Sequence, residues 1–408
     1  MFSLFVAIAV FFLISIRQIG KFKLEMWQIM SFGAIAVLLA GEISFKEAVK
    51  AIDFNVIVFL FGMFVASALF ELSGYLEYNQ YRIFQRAKNI EQVFYIFIFF
   101  CAILSAVVMN DTMAIIATPV AISLAKRYDI SAKPFLLALC FSITIGSVMS
   151  PIGNPQNLLI AINSRMANPF LSFIRFLFIP TFLNLLLLFF IVKFFYPEVF
   201  KNARMKTMPM PEKKKWLYFL SQLTMAIIIL GIISKIYFSL HHKQFNIVYI
   251  AIFASMPALF LSFRQIKIIK MVDFKTLIFF MAMFILMRAL WNSNFLQDII
   301  EKFSINILSF YFIFFIVVIL SQFISNVPLV ALFLPLMINA EAGEKHFLSL
   351  AASSTIAGNL SILGAASNVI VIQNSENRIG ETISFWEFVK IGLPLTFLNS
   401  LIYWLFLK

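Results

Sequence analysis

Two short polar segments interrupt apolar sequence and match each other across the chain. Asn110-Asp111-Thr112 has Pro119 nine residues beyond its Asn, and Ser325-Asn326-Val327 has Pro335 nine residues beyond Asn326. Further along each half lies a second polar interruption, Gly153-Asn154-Pro155-Gln156-Asn157 and Gly364-Ala365-Ala366-Ser367-Asn368. Side-chain oxygens of Asn and Thr, together with loose backbone carbonyls, suit a small hard cation such as Na⁺. A helix starting at such a point offers free N–H groups and partial positive charge to an anion. Gly153 and Gly364 allow close backbone approach, and Pro155 removes a donor.

These residue types divide into two overlapping sets. Asn110, Thr112, Asn154, Pro155, Gln156, Asn157, Ser325, Asn326, Ser367 and Asn368 are candidates for binding substrate. Asn110, Asp111, Gly153, Asn326, Gly364 and Ala366 are candidates for binding a coupling cation. The first-half members are expected to form one pocket and the second-half members its mirror. A carboxylate at membrane depth is costly and marks function by default. Asp111 either couples a cation or proton, or caps the following helix by accepting from Ala114 or Ile115. Its counterpart is Val327, so the repeat is chemically unequal there. Arg288 and Glu71 lie near span ends and are weaker candidates. The adjacent His241-His242 reads as a loop pair rather than a metal site.

The elements that position these residues must be membrane helices. Hydrophobic residues make up 62% of the 408 positions, charged residues 12%, and the mean hydropathy is +0.96. That share of charge is about half that of a soluble chain, and apolar runs close to 20 residues recur throughout. The solvent is therefore the lipid bilayer. The net charge of +13 sits in short loops between apolar runs, which excludes a nucleic-acid-binding face. Cys101 and Cys140 form neither a disulfide framework nor a metal motif, and no His-Glu-x-x-His or catalytic dyad supports an enzyme. No cofactor is expected beyond bound Na⁺. The first apolar run has no preceding basic residue and reads as a retained helix.

Runs 91–109 and 112–125 flank the first tip, and 307–324 and 327–340 the second, as two re-entrant hairpins. Counting each as no net crossing leaves five spans per half, and an odd number inverts the second half. An N-terminus and C-terminus outside place about two-thirds of the 32 basic residues in cytoplasmic loops. Asp53-Phe54 matches Asp273-Phe274, and Pro180-Thr181-Phe182-Leu183-Asn184 recurs within Pro394–Asn399, at offsets of 214 to 220 residues. The chain is thus expected to be an all-α polytopic membrane protein of two inverted repeats, 1–196 and 216–408, joined by a basic linker, 197–215. Each repeat carries about five spans, one hairpin and one broken helix. Paired interruptions of this kind point to a secondary transporter with a site near the bilayer midplane. A passive channel is the alternative within membranes.

Asn-Asp-Thr with its Pro, Ser-Pro-Ile-Gly-Asn-Pro-Gln-Asn at 150–157, Ser-Asn-Val-Pro at 325–328 and Gly-Asn-Leu-Ser-Ile-Leu-Gly-Ala-Ala-Ser-Asn-Val-Ile at 358–370 resemble the ion transporter superfamily. That group includes divalent anion/sodium symporters, citrate transporters and arsenite-pump membrane subunits. The symporters carry Ser-Asn-Thr at both tips. Here only the Asn is kept at both, and the Asn-Asp tip is similar to the arsenite-pump and citrate branches. The resemblance implies a homodimer whose mobile domain moves as an elevator. It also implies transport of a small anion (dicarboxylate, citrate-like or inorganic oxyanion) coupled to Na⁺ or H⁺ across the cytoplasmic membrane of a prokaryote. Oxyanion efflux or Na⁺/H⁺ antiport is the alternative.

Overall fold

The computed structural model describes every residue except 1, 17, 20, 21, 86, 165, 203–211, 242, 244 and 304. Residues 203–211 of the 197–215 linker, and His242, therefore lie outside the described residues. The chain is a bundle of helices; a two-residue antiparallel pairing of Gln18-Ile19 with Phe22-Lys23 is the one β element among the described residues. Among the described residues, six helices are long and apolar enough to cross a membrane: Phe54–Ser73, Ile90–Val108, Pro169–Phe195, Lys215–Leu240, Phe274–Asn292 and Phe385–Leu407. The remaining expected spans are shorter, as at Met26–Leu39, or divided by polar breaks, as between Lys133–Ser147 and Pro155–Asn163. Large apolar side chains stand outward on the helix surfaces, as at Phe12 (63% exposed) and Phe397 (68%), which suits a bundle solvated by lipid.

The order of elements repeats. Each half runs from two apolar helices through a short helix to a long capped span, then a short surface helix, hairpin, broken helix and final span. The long spans start alike: Asp53 accepts from the N–H groups of Asn55 and Val56, and Asp273 from that of Thr276. The hairpins are Ile90–Val108 with Asn110–Tyr128, and Phe310–Ile324 with Asn326–Asn339. The broken helices are Lys133–Ser147 with Pro155–Asn163, and Glu344–Ile356 with Ala366–Ile379.

Direction can be read from the ends. Lys275 pairs with Glu25 at 2.7 Å, and at the opposite end of the same helix Arg288 (3.3 Å) and Asn292 (2.8 Å) reach Glu47. Met26–Leu39 therefore runs parallel to Phe274–Asn292. Phe54–Ser73 starts where Met26–Leu39 ends, so it runs opposite to Phe274–Asn292, its counterpart in the second half.

Packing divides the helices into two groups. The hairpins, broken helices and the two final spans, Pro169–Phe195 and Phe385–Leu407, pack mainly on one another. The first two apolar helices and the capped span of each half form the other group. A pair of loop clasps closes the first group: Lys133 bonds Glu387 at 2.6 Å, and Ser172 bonds Glu344. The site lies where the groups meet.

Candidate functional site

Each hairpin turns on one residue with positive φ, Met109 (φ 74°, ψ 145°) and Ser325 (φ 71°, ψ 149°), and the second arm begins at the next residue, Asn110 or Asn326. L-residues rarely occupy this region, and doing so costs on the order of 1–3 kcal/mol. The first tip is tied to its own broken helix, with the Asn110 N–H donating to the Gly153 carbonyl at 2.9 Å. The glycines are sterically required. A Cβ on Gly153 would lie 2.4 Å from the Ser147 carbonyl oxygen, and one on Gly364 2.9 Å from that of Ala357.

The breaks are held by matching asparagines. Asn157 Nδ2 donates to the carbonyls of Ser147 (3.0 Å) and Ser150 (3.1 Å). Asn368 Nδ2 donates to those of Gly358 (2.7 Å) and Ser361 (3.3 Å). Each amide thus gathers carbonyls that the interrupted helix leaves free. Asn154 caps the following helix through the Asn157 N–H at 2.8 Å. Asn154 Nδ2 also donates to Thr355 Oγ1 (3.1 Å), whose hydroxyl donates to Asn157 Oδ1 (3.3 Å). These bonds join the break of one half to the last helical turn before the break of the other.

This junction makes one cavity where two pockets were expected. A space of about 670 Å³ is lined by Asn110, Asp111 and Thr112, by Ser325, Asn326 and Val327, by Pro155 and Gln156, and by Gly364, Ala365 and Ala366. Gly153, Asn154, Asn157, Ser367 and Asn368 are not on its wall. All four side chains among them are fully buried behind it, where three of them supply the ties just described. The cap weighed as the alternative role of Asp111 is not formed. The helix starts two residues earlier than such a cap requires, at Asn110, whose Oδ1 accepts from the Asp111 N–H at 2.9 Å, and the Asp111 carboxylate faces the cavity. Arg288, bonded to Glu47, lies away from the cavity.

Two residues that shape the site have no distinctive sequence signal. Ser67 meets Thr112, oxygen to oxygen, at 2.7 Å and is a single hydroxyl in an apolar span. Gln322 bridges the second hairpin to its broken helix, donating to the Ala357 carbonyl at 2.9 Å and accepting from Ser361 Oγ at 2.8 Å. Asp273 and Glu71 are also on the wall, and Glu25, Trp27 and Lys275 form its rim. The mouth is therefore at the Glu25–Lys275 end. Lys275 holds the Glu25 carboxyl below its ordinary value of 4.5 through their hydrogen bond.

The cavity wall carries four carboxylates (Glu25, Glu71, Asp111 and Asp273) against one ammonium, Lys275, which Glu25 already pairs. In the second half Asn326 Oδ1, Ser367 Oγ and Asn368 Oδ1 are buried with no hydrogen-bond partner. The corresponding first-half amide oxygens, Asn110 Oδ1 and Asn157 Oδ1, are both occupied.

Known proteins resemble this chain over nearly its whole length. It is 26% identical to a silicon efflux transporter of Oryza sativa subsp. japonica, covering 89% of this chain and 88% of that protein. It is 24% identical to a putative transporter arsB of Dictyostelium discoideum, covering 91% and 85%. The crystal structure of the Alcanivorax borkumensis YdaH transporter, described as having an unusual topology, aligns with a TM-score of 0.59 at 14% identity, covering 100% of this chain and 96% of that one. At that identity the likeness establishes the fold. The citrate transporter family model matches residues 9–349, and the chain belongs to that family of membrane transporters.

Proposed function

We propose that this protein is a secondary-active transporter that carries a small anion through one central cavity exposed alternately to the two membrane faces, coupled to Na⁺ or H⁺. The observation that carries the reading is the single cavity walled by both hairpin tips and both helix breaks. A site shared by two oppositely directed halves can be reached from either side by an exchange of equivalent contacts. The division of the helices into two packing groups favours movement of the hairpin group as a body past the other. We take the Glu25–Lys275 end as cytoplasmic, because Arg264, Lys267 and Lys270 precede that end of the chain's second long capped span. Working as a homodimer in a prokaryotic cytoplasmic membrane fits this reading.

The carboxylate-rich wall bears on the substrate. A free polyanion would meet net repulsion there, so the anion crosses with compensating protons or cations, or as a weakly charged oxyacid. The likeness to a silicon efflux transporter favours the inorganic oxyacid branch, with export as the direction. The unpartnered oxygens of Asn326, Ser367 and Asn368 have the chemistry to accept Na⁺ as a co-transported ion.

Proteoliposomes given labelled citrate, succinate, sulfate or arsenite, with imposed Na⁺ or pH gradients, test the reading. Accumulation of one of these against its own gradient is expected. Equilibration that never exceeds the outside concentration would replace the transporter with a channel.

A further inference from the structure

Asp53 and Asn163 tie the two packing groups together at the end away from the cavity mouth. Asn163 Nδ2 donates to Asp53 Oδ2 at 2.9 Å, while Asp53 Oδ1 caps Phe54–Ser73. Both residues recur in the second half. Asp273 caps the equivalent span, and Asn374 lies six residues beyond Asn368, as Asn163 lies six beyond Asn157. The second pair is identical in chemistry but not in geometry. Asp273 accepts only from Thr276, and no hydrogen bond joins it to Asn374. The cavity opens there instead, with Asp273 on one wall and Gln373, the neighbour of Asn374, on another.

Contacts within the group of apolar helices and capped spans do not show this asymmetry. Glu25 meets Lys275 at the mouth, and at the far end Asn246 meets Asn55, which corresponds to Lys275 in the repeat, at 3.3 Å. Both ends of that group are therefore fastened. Only the link from that group to the hairpin group exists at one end alone. The Asp and the Asn are the same at both ends, but one neighbour differs: Thr276 Oγ1 donates to Asp273 Oδ2 at 2.6 Å, whereas Val56 stands in the equivalent place beside Asp53, so Asn374 would have to share or take over that oxygen.

We propose that Asp273 and Asn374 are positioning residues of the transport cycle, which close the mouth by forming the bond that Asp53 and Asn163 make in this state. The inference rests on the alternating-access reading above. Exchanging one Asn–Asp bond for its twin leaves the two end states close in energy, as a reversible two-state element requires.

Two cysteine pairs test it, in a chain carrying Cys101→Ser and Cys140→Ser: Asp53→Cys with Asn163→Cys, and Asp273→Cys with Asn374→Cys. A short thiol cross-linker is applied in proteoliposomes across combinations of Na⁺, pH and the accumulated anion. Conditions that lower the first yield are expected to raise the second. As a check independent of the caps, Asn374→Leu should increase labelling of a cysteine at Met271, which lines the cavity, and Asn163→Leu should decrease it. Each shift is expected to be about two- to tenfold, the population change that loss of one hydrogen bond produces. Leu variants that shift labelling in the same direction, or not at all, would overturn the proposal. So would a 273–374 pair that never cross-links while substrate accumulates, with the transport reading left standing. Reciprocal cross-links without accumulation of any anion would uphold the latch and sink the transport reading.

Discussion

Met109 and Ser325 hold the same backbone conformation, one at each hairpin tip, with φ of 74° and 71° and ψ of 145° and 149°. Neither is glycine, and their side chains share no chemistry. What they share is position: each precedes the Asn that starts the second arm. The conformation is imposed by the turn, and packing of the arms sustains it.

Substitution at Ser325 should separate turn geometry from side-chain chemistry. Ser325→Gly, which accepts positive φ freely, should keep transport and thermal stability close to the parent. Ser325→Val adds a β-branched residue at a conformation it resists and should lower stability by roughly 1–3 kcal/mol. Melting curves in detergent check this. A Val variant as stable as the Gly variant would show that the tip relaxes without cost.

Asn157 is expected to be a structural tie rather than a ligand. Asn157→Ala leaves buried carbonyls of Ser147 and Ser150 without their donor, at a cost of about 1–3 kcal/mol. Asn157→Asp should be worse, because a carboxylate would face those carbonyl oxygens. Melting temperatures should fall in the order parent, Ala, Asp. A variant with unchanged stability and altered substrate preference would return Asn157 to the binding site.

Asp111→Asn tests coupling directly. The exchange keeps size and removes charge from the cavity wall. If Asp111 carries the coupling ion, uptake should lose its dependence on Na⁺ or on pH while binding of the anion persists. If the dependence survives and is lost instead in Ser367→Ala, coupling belongs to the unpartnered oxygens of the second half.

The Glu25–Lys275 pair predicts a small pH effect at the mouth. Glu25 is held below 4.5, so its contribution is present above that value and is lost as pH falls through the lowered one. The two side chains are 50% and 60% exposed, which limits the effect to about 1 kcal/mol or less. The stability gap between parent and Glu25→Gln should be flat above pH 5 and close as the solution is acidified further. A gap that widens on acidification would contradict the pairing.

Much of this was legible in the residues. The hairpin tips are polar triplets between apolar arms, and the second arms begin inside those triplets, at Asn110 and Asn326 rather than after them. Gly153, Pro155 and Gly364 marked the breaks, since a crowded turn and a missing donor leave few other structures. The expectation of two pockets failed because adjacency between halves is not written in either one. Thr355 links to Asn154 and Asn157 only after the halves pack. Asn157 and Asn368 were read as ligands for the same reason: a polar side chain near a break can face a cavity or its own backbone, and composition cannot say which.

Sequence by itself determined the lipid environment, the doubled order of helices and the places where helices must stop. These follow from local hydrophobicity, propensity and the need to satisfy backbone groups in a bilayer. Tertiary structure decided which polar groups share one cavity, which are consumed in holding the chain, and at which end that cavity opens. Those outcomes depend on long-range packing, where identical pairs such as Asp53–Asn163 and Asp273–Asn374 take different geometries.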